Sequence, residues 1–185
     1  MNTSPVQALI VVDMQSAFVT GTGAVPDAPR VLDRTAALLK AARDAGVLVV
    51  HLQNDGPPGA DDETGTPGWQ LHFPYEEGEL VLHKTVDDGF EENPLAERLR
   101  EAGAEGLAIC GVQSEMCVGA TARAALEQGF RVVMPHDAHA TYDIPAAEGI
   151  SGLVPAAMVS RVAEWALGDE VEVVAEAADV EFGKG

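Results

Sequence analysis

Six short apolar runs recur along the chain, and between them lie helical patterns or polar loops. The first, VQALIVVD at residues 6–13, is continuous rather than alternating and rich in β-branched side chains. Such a run is a strand covered on both faces, as strands of parallel sheets are. Similar runs occupy 47–53, 79–84, 105–110, 130–135 and 171–175. After the first, Asp27 and Pro29 read as the N-cap and first turn of a helix. Val31, Leu32, Ala36, Leu38, Leu39 and Ala42 then recur at helical spacing until Gly46. Asn93 and Pro94 open a second helix with Leu95 and Leu99 on one face, ending at Gly103. Ser114 to Gln128 reads as a third helix, with Val118, Ala122, Ala125 and Leu126 buried. Residues 146–167 read as a fourth. Strands alternating with helices predict a doubly wound parallel α/β sheet, in one domain over 1–185. The stretch 54–78, rich in Gly, Pro, Asp and Glu, is a loop long enough to be functional or an interface element.

Ligands in such sheets bind beyond the carboxyl ends of the strands. That directs attention to Asp13, Gln53–Asp55, Lys84, Gly111–Cys117 and His136–Asp137. Asp13 closes an apolar run, where a carboxylate is costly unless partnered. It reads either as a loop-ordering cap or as a general base. Lys84 ends the third run behind Leu80, Val81 and Leu82, and is one of only three lysines, with Lys40 and Lys184. It reads either as a snorkelling side chain or as a buried ammonium. Cys117 falls in the first turn of the helix that Ser114 is expected to cap. The partial positive charge of a helix N-terminus lowers a thiol pKa, and a nearby ammonium lowers it further. Cys110, among Leu107, Ala108 and Ile109, reads as a small core residue. A carboxylate, an ammonium and a thiol at one end of one sheet form a nucleophile–base set.

Three segments then carry a resemblance that covers nearly the whole chain. They are ALIVVDMQSAF (8–18), HKTVDDGFEENPLAERLREAG (83–103) and CGVQSEMCVGATARAALEQGFRV (110–132), followed by MPHDAHAT (134–141). In these the sequence resembles the isochorismatase-like cysteine hydrolases, which include nicotinamidases. The resemblance implies a three-layer α/β/α Rossmann-like fold with a six-stranded parallel sheet, order 3-2-1-4-5-6. It implies a catalytic triad of Asp13, Lys84 and Cys117, and a cis peptide between Val112 and Gln113. It also implies an oxyanion hole from the N–H groups of Gln113 and Cys117, and a pocket lined by Gln15, Phe18, Gln53, Trp69, Phe90 and Gln113. The implied reaction is hydrolysis of a C–N bond of a small amide or lactam through a thioester. The segments VDDGF (86–90) and GVQSEMCV (111–118) look like those of streptothricin hydrolases, which open a lactam in a cationic antibiotic.

The chain departs from nicotinamidases where those carry an Asp-x-His metal motif. Here HLQNDGPPGADD (51–62) has no histidine two residues after Asp55, and His72 stands alone where about three protein ligands are needed. No metal and no other cofactor is expected. A metal-dependent nicotinamidase-type amidase and a non-catalytic binding or assembly module that keeps the fold are the competing readings. His51 and His83 read as core or interface residues, and His136 and His139 as neighbours of the site.

Thirty acidic against 11 basic residues give a net charge of -19. That excludes simple nucleic-acid binding and docking on anionic membranes. It concentrates cationic solutes instead, so a cationic substrate fits. Two cysteines point to a reducing compartment. The N-terminus has no basic region, and no apolar stretch reaches membrane-spanning length, so a cytoplasmic location is expected. Relatives are often oligomeric. A homodimer or homotetramer is expected, through loop 54–78 or the helix bearing Trp165.

Overall fold

A computed structural model of the chain describes residues 4–184. Its strands are β1 (Ala8–Val12), β2 (Leu48–Asn54), β3 (Leu80–Lys84), β4 (Gly106–Val112), β5 (Arg131–Pro135), β6 (His139–Ala140) and β7 (Val171–Val174). All pair in parallel, in the order β3-β2-β1-β4-β5-β7, with β6 beside the end of β4. The expected order holds, with the expected sixth strand becoming β7. The additional strand is β6, two residues long and too short to leave a periodic signal.

The helices are α1 (Ser16–Val19), α2 (Ala28–Ala45), α3 (Leu95–Glu101), α4 (Gly119–Glu127) and α5 (Ala156–Ala166). Successive side chains of a strand point to opposite faces of the sheet. Leu9 and Val11 of β1 therefore pack with Val31, Leu38 and Leu39 of α2. Ala8, Ile10 and Val12 pack on the other face with Leu95 and Leu99 of α3 and Ala122 and Ala125 of α4. All five residues of β1 are buried, as the unbroken apolar run requires. Each of the four larger ones, Leu9, Ile10, Val11 and Val12, contributes ~1.5–3 kcal/mol when fully buried, so the centre of the sheet is its firmest part.

Several local expectations are corrected. The third helix does not begin at Ser114. A π-helical segment spans Ser114–Val118, Met116 is non-helical at φ -104° and ψ -110°, and no side chain caps the segment. The α-helix starts only at Gly119. The fourth helix starts at Ala156 rather than 146, because Pro155 sits before it in extended conformation. Residues 144–154 instead fold into a loop closed by antiparallel bridges between Ile144 and Val154 and between Ala147 and Ser151. Asp27 makes no capping bond to α2 and pairs with Arg30. Asn93 does serve α3, its Oδ1 accepting from Leu95 N–H. The third run is the edge strand β3, so His83 is exposed rather than in the core.

Candidate active site

The carboxyl ends of β1, β3 and β4 bring together the three expected side chains. Asp13 follows β1 directly and is buried, its N–H donating to Leu52 O at 3.0 Å. Its φ of 49° lies in the left-handed region, which Asp tolerates better than most residues. Lys84 is the last residue of β3, two strands from β1, or about 9.5 Å at ordinary strand spacing. Only a long side chain bridges that gap. Lys84 Nζ donates to Asp13 Oδ2 at 2.8 Å, to Cys117 Sγ at 3.1 Å and to Val86 O at 3.3 Å. The lysine side chain is fully buried. Asp13 Oδ1 is also buried and has no hydrogen-bond partner among the described residues.

Cys117 reaches this point from the π-helical segment after β4. Gln113 O accepts from Met116 N–H at 3.2 Å and from Val118 N–H at 3.1 Å, which curls the segment around the thiol. The Val112–Gln113 peptide is cis. Just before it, Gly111 has φ 123°, and a Cβ there would stand 2.1 Å from Val12 O. Only glycine lets β4 lie this close to β1.

The three groups are electrostatically interlocked. Burial raises the Asp13 pKa, although Lys84 opposes it. Burial acts to lower the Lys84 pKa, but Asp13 and Cys117 together outweigh it and hold the lysine above its usual value. Burial, reinforced by the Asp13 carboxylate, pushes the Cys117 thiol well up. The expected depression of that pKa is therefore corrected. The thiol lies ahead of the α-helical N-terminus, and desolvation plus a neighbouring carboxylate outweigh the one ammonium. The Cys117 thiol therefore keeps its proton at neutral pH. Cys110 is buried as expected, and its thiol is pushed up to about 12.

A cavity of about 170 Å³ opens beside Cys117. Asp13, Phe18, Gln113 and Cys117 line it, together with Asn54, Asp62, Asp87, Val112 and Met116. Of the expected pocket residues, Phe18 and Gln113 are there. Gln15 is buried behind the site, its Nε2 donating to Asn54 O and Trp69 O. Gln53 Nε2 donates to Trp69 O at 2.8 Å. Trp69 stacks on His83 and donates from Nε1 to Asp55 Oδ1. Phe90 packs near Phe130. Gln15, Gln53 and Trp69 brace the 54–78 loop and the β3 end. Sequence reasoning missed Asp62 and Asp87. Asp87 had a signal, lying three residues after Lys84, whereas Asp62 comes from the aperiodic loop. Neither pairs with a basic side chain among the described residues. Asp62 is nine-tenths buried and accepts from Asn54 Nδ2 at 2.6 Å. Sγ of Cys117 donates to Asp87 Oδ1 at 3.5 Å.

His136 and His139 lie outside this cavity. His139 is buried behind the π-helical segment, its Nδ1 2.8 Å from Ser114 Oγ. Asp55, the carboxylate after β2, is taken up by Trp69 and by His83 at 3.0 Å. Among the described residues no trio of metal-ligating side chains gathers there.

Known proteins resemble this chain in sequence and in fold. The model of the isochorismatase domain matches residues 7–162. The chain belongs to the isochorismatase family. A streptothricin hydrolase of Streptomyces noursei is 67% identical over 180 residues, 96% of this chain and 71% of that protein. A second one from the same organism is 67% identical over 96% of this chain, which spans only 65% of its length. A solved isochorismatase from Pseudomonas putida superposes with TM-score 0.86 at 29% identity, covering 97% of this chain and 94% of the other. The pyrazinamidase of Pyrococcus horikoshii, solved in complex with zinc, superposes at 0.75 with 27% identity, over 91% and 98% of the two chains. These relatives support a hydrolase acting on C–N bonds.

Proposed function

We propose that the protein hydrolyses an amide-type C–N bond of a small molecule, an amide or a lactam, through a thioester on Cys117. The observation that carries this reading is Lys84 Nζ, held within 3.1 Å of both Asp13 Oδ2 and Cys117 Sγ, two residues that line the cavity. Asp13 Oδ1, without a partner, is the proton acceptor. It takes the thiol proton as sulfur attacks the carbonyl carbon, and Lys84 steadies the negative charge as it moves from carboxylate to sulfur. The raised thiol pKa makes proton transfer part of the attack, not a step completed beforehand. The N–H groups of Gln113 and Cys117 would hold the oxyanion. One such donor typically stabilises a transition state by ~2.7–4 kcal/mol. The protonated Asp13 gives its proton to the leaving nitrogen, and the C–N bond breaks. Asp13 then takes a proton from water as the water oxygen attacks the thioester. The acid is released and the thiol is restored.

The relatives' streptothricin activity makes a cationic lactam the favoured substrate. Asp62 and Asp87, lining the cavity without basic partners, support that choice, as does the overall charge of -19. In a lactam the freed amine stays tethered to the acyl group, so ring opening yields one product. Self-association as a homodimer or homotetramer belongs to the same reading. Its support is an exposed apolar face with Met158, Val162 and Trp165 on α5 and Ile150 in the preceding loop. Among the described residues, no helix is long and apolar enough to cross a membrane.

The test is a turnover assay over a panel of amides, with cationic lactams and nicotinamide included, on wild type and Cys117→Ala. Loss of all turnover in a variant with unchanged circular dichroism and melting is expected. Turnover surviving in the variant would overturn the mechanism, and nicotinamide as the sole substrate would overturn the choice of lactam.

A further inference from the structure

On the other side of the π-helical segment lies a second polar cluster that the proposed hydrolysis does not use. After β5 the chain makes one tight turn, His136–Ala138, and enters β6 at His139. The turn sets two imidazoles side by side, ring centroids 6.1 Å apart. Glu164 of α5 reaches between them. Its Oε1 lies 2.5 Å from His136 Nδ1 and 3.0 Å from His139 Nε2, while Oε2 accepts from Arg161 at 3.2 Å. Glu164 and His139 are buried, and His136 is half exposed. The three prospective ligand atoms lie within 4.8 Å of one another.

We infer that His136, His139 and Glu164 form a binding site for a divalent transition-metal ion of the zinc class. Two imidazoles and one carboxylate are the donor set such ions favour, with a fourth position left for water. Ligand atoms around a tetrahedral ion sit about 3.3 Å apart, so the two contacts to Glu164 Oε1 need to lengthen by less than about 1 Å. The exposed His136 can supply that movement and is also the entry path. A ligating histidine is usually held by a partner on its other nitrogen. His139 has one: Nδ1 is 2.8 Å from Ser114 Oγ, which is itself 2.9 Å from Ser160 Oγ.

The ion would also change the direction of hydrogen bonding. Without metal, His139 Nε2–H donates to Glu164, and Nδ1 accepts from the Ser114 hydroxyl. With metal, Nε2 gives its lone pair to the ion, so the proton resides on Nδ1 and donates to Ser114 Oγ. The Ser114 hydroxyl then turns to Ser160. Ser114 follows Gln113, whose N–H the proposed mechanism uses, so occupancy is felt one residue from the reacting centre.

The site is tested by titrating chelator-stripped protein with Zn²⁺ in a calorimeter and with Co²⁺ by visible absorption. Wild type is expected to take up one equivalent. His136→Ala removes an exposed ligand with little risk to the fold and should weaken binding by more than ~10-fold. Ser114→Ala, which removes the outer partner, should cost ~10–100-fold. Cys117→Ser should bind as wild type does. The inference is overturned if wild type shows no saturable uptake or if His136→Ala binds as tightly. It is equally overturned if Cys117→Ser, rather than His136→Ala, loses the ion. None of these readings depends on turnover, so failure of the proposed hydrolysis would leave the result standing.

Discussion

Removing one member of the buried Asp13–Lys84 pair should cost far more than removing both. The two side chains are 4% and 0% exposed, and the contact is 2.8 Å. A charge stripped of its partner in such a place typically costs ~3–5 kcal/mol, whereas replacing both by neutral groups of similar size is often close to neutral. Lys84→Met and Asp13→Asn should each lower stability by that amount, or roughly 6–20 °C in Tm for a chain of this length. The double variant should lose far less stability than the sum of the two single losses. The singles should also respond oppositely to pH. In Lys84→Met the stranded Asp13 holds its proton more tightly when folded than when unfolded. Its folded pKa is raised, so stability is full below the unfolded value and falls as pH rises through the folded one. In Asp13→Asn the stranded ammonium has a lowered folded pKa, so stability is lost as pH falls through that value. Urea denaturation at several pH values between 5 and 9, read as the midpoint at constant m, measures all four proteins. Additive losses, or the same pH slope for both singles, would refute the electrostatic account.

Three further outcomes follow from the same geometry. The base form of Asp13 is lost on acidification, and burial holds its pKa above the usual 3.8, so the acid limb of kcat/KM should lie above that value; a limb at or below 3.8 would contradict the assignment. Iodoacetamide should modify one thiol in the native protein and two after unfolding, at a native rate that climbs with pH. Mass spectrometry should place the native adduct on Cys117, because Cys110 is buried with its thiol at about 12. Gly111→Ala puts a Cβ 2.1 Å from Val12 O and should cost about 3 kcal/mol or prevent folding; a wild-type Tm would show that β4 can move away from β1.

The framework of the fold was readable because β1, β2 and β4 are buried on both faces and so carry unbroken apolar runs. β6 was not readable, since two residues have no period. The start of α5 was overextended because Ala146, Ala147 and Glu148 suit a helix, although Gly149 and Gly152 do not, and the segment folds here as a bridged loop. The meeting of Asp13, Lys84 and Cys117 was readable because each lies at or just after a strand end. The direction of the thiol pKa was misread. Local sequence shows an approaching helix and a lysine, but not that the thiol and Asp13 share one desolvated space. Asp62 escaped notice for a related reason. Its place in the cavity depends on how loop 54–78 folds back through Trp69, Gln15 and Gln53, and that is a tertiary fact.

The bond between Asp13 and Lys84 spans 71 residues of sequence, and that between Lys84 and Cys117 spans 33. Both close only when β3, β2, β1 and β4 are docked in register, and each parallel pairing costs loop-closure entropy before any contact repays it. Helices α2 and α4 can flicker into existence locally, but the reacting groups cannot meet until the middle of the sheet is complete. Recovery of turnover during refolding should therefore lag the return of helical signal. It should coincide with the last slow event at the sheet centre, which makes catalysis a clock for β1 taking its place between β2 and β4.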